Sequence, residues 1–150
     1  MKKTIIFLSA DTLDGEYQVF SYQDISELAT QLNSRNIKIG NNCHIGDSVL
    51  LYNNVTIGDG CNIGTCTTLM YMVEIGNECR VGNNVSIGNG VNISNYCVIG
   101  DGCEIGDGVF ICDVVIIGNS CNIYTDVTGV GIAENSVLGV GSKLHIRELL

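Results

Sequence analysis

Every sixth residue from Ile39 to Ile123 is a branched aliphatic, and this period of six limits what the chain can fold into more than any other feature. The fifteen positions 39, 45, 51 and onward to 123 are all Ile, Leu or Val, and ten of them precede a glycine. Two places before each stands a small residue, Val or Cys in most cases, with Ile37 and Thr67 as exceptions. Residues two apart share one face of a strand. The unit small-x-Ile-Gly-x-x therefore reads as a short strand and a corner. Glycine opens the corner, where a positive φ costs it little. Asn and Asp, which also tolerate left-handed φ, crowd the next two places, as in Gly40-Asn41-Asn42 and Gly58-Asp59-Gly60. One hexad cannot bury its face alone, so hexads must stack.

Three hexads make a coil of eighteen residues, and residues 18 apart match better than neighbouring hexads do. Val55, Val73, Val91, Val109 and Val127 form one column, begun by Ile37. Cys43, Cys61, Cys79 and Cys97 form a second, ending at Val115, and Val49, Thr67, Val85, Cys103 and Cys121 form the third. Like side chains stacked along an axis pack in register. The expected fold is all-β: a parallel β-helix with three sides per coil, on the order of 24 Å tall at ~4.8 Å per coil.

The ends lie outside this pattern. We expect an N-terminal α/β cap over residues 1–36, the β-helix over 37–146 and a tail over 147–150. Thr4 to Ser9 and Tyr17 to Phe20 read as strands, and Ser21-Tyr22-Gln23-Asp24 as a capping box with Asp in place of Glu. Ile25, Leu28, Ala29 and Leu32 then fall at helical spacing. Around Gly129-Val130-Gly131 the period slips by three and resumes at Ile132, Leu138 and Leu144.

Charge and cysteine content narrow the partners. The formal net charge of −9 disfavours a nucleic-acid ligand or an anionic membrane surface. No apolar run approaches the ~20 residues of a membrane span, so no membrane insertion is expected. The start reads as a strand rather than an export signal, because acidic residues follow its short apolar stretch at once. The expectation is a cytoplasmic protein with reduced thiols. Six of the eight Cys fall at interior positions and read as small hydrophobes, while Cys66 and Cys112 fall on corners and should be exposed. There is no Cys-x-x-Cys, and no metal site is expected.

The Ile-Gly-x-x-Val/Cys-x units resemble the hexapeptide-repeat acyltransferases, over residues 37–144. The segment from Ile132-Ala133-Glu134-Asn135 to Gly139-Val140-Gly141-Ser142 is similar to the closing coil of their sugar and amino-sugar acetyltransferase members. The resemblance implies a left-handed winding and a homotrimer with active sites between neighbouring prisms. It also implies a histidine base, a small-molecule acceptor, and acyl-coenzyme A or an acyl carrier protein as donor. Two departures stand out: no loop interrupts residues 39–127, and the Gly-Asn-Pro-Ala segment common after the last coil is missing.

The residue before each interior Ile points outward. His44 sits at such a place, and its column continues through Asn62, Arg80, Val98 and Ile116. The expected roles are His44 as base, with Asn62 and Arg80 lining the substrate site. His145 is a lesser candidate base. Lys143 and Arg147, with the backbone around Gly139 and Gly141, are the residues best placed for the phosphates of coenzyme A. Val98, Ile116, Phe110 and Val114 form an outward apolar set of the kind found at interfaces, here a trimer contact. The leading reading is an acetyl- or acyl-coenzyme A-dependent transferase of a sugar or amino sugar. The alternative is a non-catalytic trimeric β-helix that binds or scaffolds. Two His, 101 residues apart, exclude a carbonic anhydrase of the same fold, which needs three zinc-binding His.

Overall fold

The computed structural model describes residues 2–8, 16–127 and 131–147. Short strands wind as a parallel β-solenoid with three faces, joined by tight corners. The first face stacks Lys38–Ile39, Thr56–Ile57, Glu74–Ile75, Asn92–Ile93, Phe110–Ile111 and Gly131–Ile132. The second stacks His44–Ile45, Asn62–Ile63, Arg80–Val81, Val98–Ile99, Ile116–Ile117 and Val137–Leu138. The third stacks Val49–Leu51, Thr68–Leu69, Ser86–Ile87, Glu104–Ile105, Asn122–Thr125 and Lys143–Ile146. Pairing joins residues 18 apart, as in Ile57 with Ile75 and Arg80 with Val98, so the periodicity is the register. The aliphatic and small columns fill a continuous buried core from Ile5 to Ile132.

The N-terminal segment continues the third face. Strands β1 (Lys3–Leu8) and β2 (Tyr17–Tyr22) form an antiparallel hairpin. Strand β1 then lies parallel to Val49–Leu51, with Ile5 opposite Val49 and Phe7 opposite Leu51. Its loop, including Ser9, is outside the described residues. A 3-10 turn (Ile25–Leu28) and helix α1 (Ala29–Ser34) follow, burying Leu28 and Leu32 in the same core. The capping box is Asp24 with Glu27, not Ser21 with Asp24. Strand β2 runs on through Tyr22, which leaves Ser21 extended inside a sheet.

Two expectations about the repeat are corrected. The glycine after each interior Ile does not carry a positive φ. That conformation falls two residues later, at Asn42, Cys66, Met72 and even Val114, each with φ of 57–59°. The glycine is there for space. A Cβ on Gly46 would stand 2.6 Å from Thr65 N and 2.7 Å from the Gly64 carbonyl carbon in the next coil. The corner Asx side chains fill that tight gap, as where Asp59 Oδ1 accepts from the Asn41 N–H at 2.8 Å. Val127 is the second correction. Phe110 pairs with Gly131 and Ile111 with Ile132, 21 rather than 18 residues on, so the valine column ends at Val109 among the described residues. Val127 is half-buried, and its N–H bonds to Thr125 Oγ1 at 3.1 Å. Ile117 with Leu138 and Ile123 with Leu144 keep the same three-residue offset, while Gly129 and Val130 lie outside the described residues.

The interior cysteines do more than fill space. Each S–H donates to the carbonyl of a corner in the next coil: Cys61 to Gly76 and Cys79 to Ser94 at 2.9 Å, Cys97 to Cys112 at 3.0 Å. Thr67 does the same through its hydroxyl, to Gly82 O at 2.8 Å. Cys66 is exposed, and Cys112 is half-buried rather than exposed.

Candidate functional site

The second face carries the outward column expected from the repeat. His44 pairs with Asn62, Asn62 with Arg80, Arg80 with Val98, Val98 with Ile116, and Ile116 with Val137. His44, Asn62 and Arg80 are exposed and stand ~4.8 Å apart along the axis. The apolar half is exposed too: Val98 by 38%, Ile116 by 45% and Val137 by 69%. One flank thus runs from an imidazole, an amide and a guanidinium into a strip of aliphatic side chains.

The N-terminal hairpin walls off the His44 end. Lys3 Nζ donates to His44 Nδ1 at 3.4 Å and to Ile45 O at 3.1 Å. An ammonium can only donate. Nδ1 is therefore the acceptor in this contact. Lys3, Tyr22, Asp24, Cys43 and His44 enclose a shallow pocket. Burial pushes the Tyr22 phenol up, with the Asp47 carboxylate adding to it, and the Tyr22 hydroxyl donates to Ile45 O at 3.3 Å. Hydrogen bonds from Thr4 hold the Asp47 carboxyl low. None of these cap residues was legible as a neighbour of His44, because the N-terminal segment has no repeat to fix its register.

The other sequence candidates gather at the opposite end. Gly139 and Gly141 lie on the corner that follows Val137–Leu138, five coil steps or ~24 Å from His44 within one chain. That corner is open: a Cβ at either glycine would meet no atom within 4 Å. Lys143 and Arg147 are exposed just beyond it. An open glycine corner beside two cations fits an anionic phosphate chain, although the Gly141 N–H is already bonded to Asn119 O at 2.9 Å.

His145 has partners the sequence did not suggest. Its Nε2 lies 2.7 Å from Asp126 Oδ2, close enough for an ion pair but not aligned as a hydrogen bond. Arg147 Nε donates to Nδ1 at 2.9 Å, and the ring packs on Tyr124 with centroids 4.8 Å apart. Asp126 was missed because the three-residue slip puts it 19 residues from His145, off every column.

Acetyltransferases are among the solved structures that share this architecture. WeeI from Acinetobacter baumannii AYE matches with a TM-score of 0.66 at 19% identity, over 79% of this chain and 60% of that one. The acetyltransferase domain of PglB from Neisseria gonorrhoeae FA1090, in complex with acetyl coenzyme A, gives 0.62 at 11% identity, over 80% and 61%. A histidine-to-asparagine mutant of perosamine N-acetyltransferase from Caulobacter crescentus, in complex with CoA and GDP-perosamine, gives 0.57 at 15%, over 82% and 60%. The chain spans about three-fifths of the length of these proteins. They define the class, the hexapeptide-repeat β-solenoid. Within it the chain belongs to the GMPPB C-terminal domain family, whose sequence model matches residues 29–120. No curated protein matches the sequence.

Proposed function

We propose that the chain is an acyl-coenzyme A-dependent acetyltransferase acting on a hydroxyl or amine of a sugar or amino sugar, as a homotrimer with its sites between neighbouring prisms. The observation that carries this is the second face, where His44, Asn62 and Arg80 run in register into the exposed strip Val98, Ile116 and Val137. An exposed aliphatic strip of this kind favours subunit contact. It would bring the polar end of the same flank to a subunit boundary. Lys3 leaves Nδ1 when the acceptor enters, and His44 takes the acceptor proton there. Asn62 orients the acceptor, and Arg80 holds negative charge. Gly139, Gly141, Lys143 and Arg147 bind the donor phosphates. Those residues lie ~24 Å from His44 along the coil axis, so the bound donor has to extend over that distance to bring its thioester to His44. The bound donor supplies the activated acyl thioester. An acyl carrier protein is the poorer donor, since it is acidic and this chain carries −9.

A second reading is a trimeric scaffold or binding module without catalysis. It is favoured by the Lys3 ammonium on the basic nitrogen of His44 and by coils that run from Lys38 to Ile123 with no protruding loop. Calorimetric titration with acetyl-coenzyme A separates the two. Saturable binding with trimer stoichiometry, and acetyl transfer lost in His44→Ala, supports the transferase. No heat at about millimolar ligand moves the assignment to the scaffold.

A further inference from the structure

The third face carries a groove away from the His44 flank. Met70, Gly88, Gly106 and Tyr124 each follow an interior residue and stand 18 apart, so they form one column along the edge of that face. The two glycines line a trough between a thioether and a phenol ring, with a volume of about 300 Å³. Ser86, Glu104 and Asn122 line one side as successive rungs ~4.8 Å apart. None of these three side chains makes a hydrogen bond within the described protein. Asp107 reaches the trough from the corner, where its Oδ1 already accepts from the Asn89 N–H at 2.8 Å. Tyr124 is 46% exposed, with its ring packed on His145.

This set of groups selects its ligand by chemistry. A hydroxyl, a carboxylate and an amide in a row, with a second carboxylate beside them, call for a ligand with several O–H or N–H donors spread over ~10 Å. The ring at the end of the trough calls for an apolar C–H face. A nucleobase has the flat face but few donors. Phosphates and uronic acids are repelled by Glu104 and Asp107, while Lys143, one rung above Asn122, is the only cation on this column among the described residues.

We infer that the trough is a saccharide-binding subsite for an uncharged or amino sugar. Hydroxyls face Ser86, Glu104 and Asn122, and the C–H face of the ring rests on Tyr124. The inference deepens the proposed acceptor class and rests on that reading for it. The donor titration does not probe the trough, so the two can fail separately.

Amide chemical shifts of the intact protein, titrated with N-acetylglucosamine, glucosamine and glucuronate, test it. The expected result is saturable shifts at Gly88, Gly106 and Tyr124 with one or both of the first two sugars and none with glucuronate. Glu104→Gln, which preserves shape, and Tyr124→Ala each weaken binding by about tenfold or more, while Asn92→Ala on the neighbouring face changes it less than about twofold. No saturable shift by about 50 mM sugar, equal binding of glucuronate, shifts confined to the His44 flank, or affinity unchanged in Glu104→Gln would overturn it.

Discussion

Thr67→Val tests whether the small interior positions act as hydrogen-bond donors or only as filler. Thr67 is fully buried, and its column neighbours are Val49 and Val85. On burial alone, valine should fit as well or better, gaining up to about 0.8 kcal/mol for the added methyl. The geometry argues the reverse. Thr67 Oγ1 donates to Gly82 O at 2.8 Å and accepts from the Val85 N–H at 3.3 Å. Among the described residues no other hydrogen bond reaches Gly82 O. Valine strips both partners in a dry core, and each buried group left unsatisfied costs about 1–3 kcal/mol. The net expectation is a loss of about 2 kcal/mol, or about 4–8 °C in melting temperature for a chain this size. Thr67→Ser keeps the hydroxyl and should lose only about 1 kcal/mol, for its methyl. Thr67→Cys, with a weaker donor, should fall between serine and valine. Thermal and urea unfolding of the three variants reads this order. A valine variant that melts at or above the wild type would refute the donor role, and with it the same reading of the cysteine columns.

Other consequences follow from the same geometry. Gly46→Ala drives a Cβ into the backbone of Thr65 and should cost about 3 kcal/mol or more, seen as lost soluble yield. Gly90→Ala has open space and only a φ of 66° to tolerate, so urea unfolding should show a loss of about 1 kcal/mol. Timed alkylation read by mass spectrometry should modify Cys66 first, Cys112 and Cys43 more slowly, and the five buried thiols only on unfolding. Burial pushes the Cys43 and Cys103 thiols up, which slows them further. The Asp47 carboxyl accepts from the Thr4 N–H and Oγ1 at 2.6 and 2.9 Å and titrates below its ordinary value of 3.8. Its hold on the hairpin is therefore complete above that value and is lost as pH falls through the lowered one. Hydrogen exchange at Thr4, corrected for its intrinsic rate, should speed up in that acid window, and Asp47→Ala should remove the pH dependence.

The coils were legible because residues 18 apart are alike: Cys61, Cys79 and Cys97 announce the spacing that Asn62, Arg80 and Val98 adopt. The reason for the repeat glycines was not legible. A period shows where glycine recurs but not whether φ or the next coil demands it, and Gly46 with Thr65 shows that it is the next coil. Cysteine and valine look alike as small apolar residues, so the S–H···O contact of Cys79 with Ser94 left no trace in the repeat. Sequence reasoning failed most where the period breaks. Lys3 meets His44 across 41 residues of hairpin, turn and helix, and Asp126 meets His145 across a slip. Both contacts change what the histidines can do. The groove of the third face was hidden for a different reason: Gly88 and Gly106 read as ordinary repeat glycines until Met70 and Tyr124 were seen to bound them.

The measurement that tests the functional account most directly is release of the free thiol of coenzyme A from acetyl-coenzyme A, with a panel of sugars and amino sugars as acceptors, for the wild type and His44→Ala. The account predicts acceptor-dependent release that saturates in both substrates and falls by about a hundredfold or more in the variant. Release that is the same in both proteins, or none with any acceptor while the protein is a folded trimer, would contradict it.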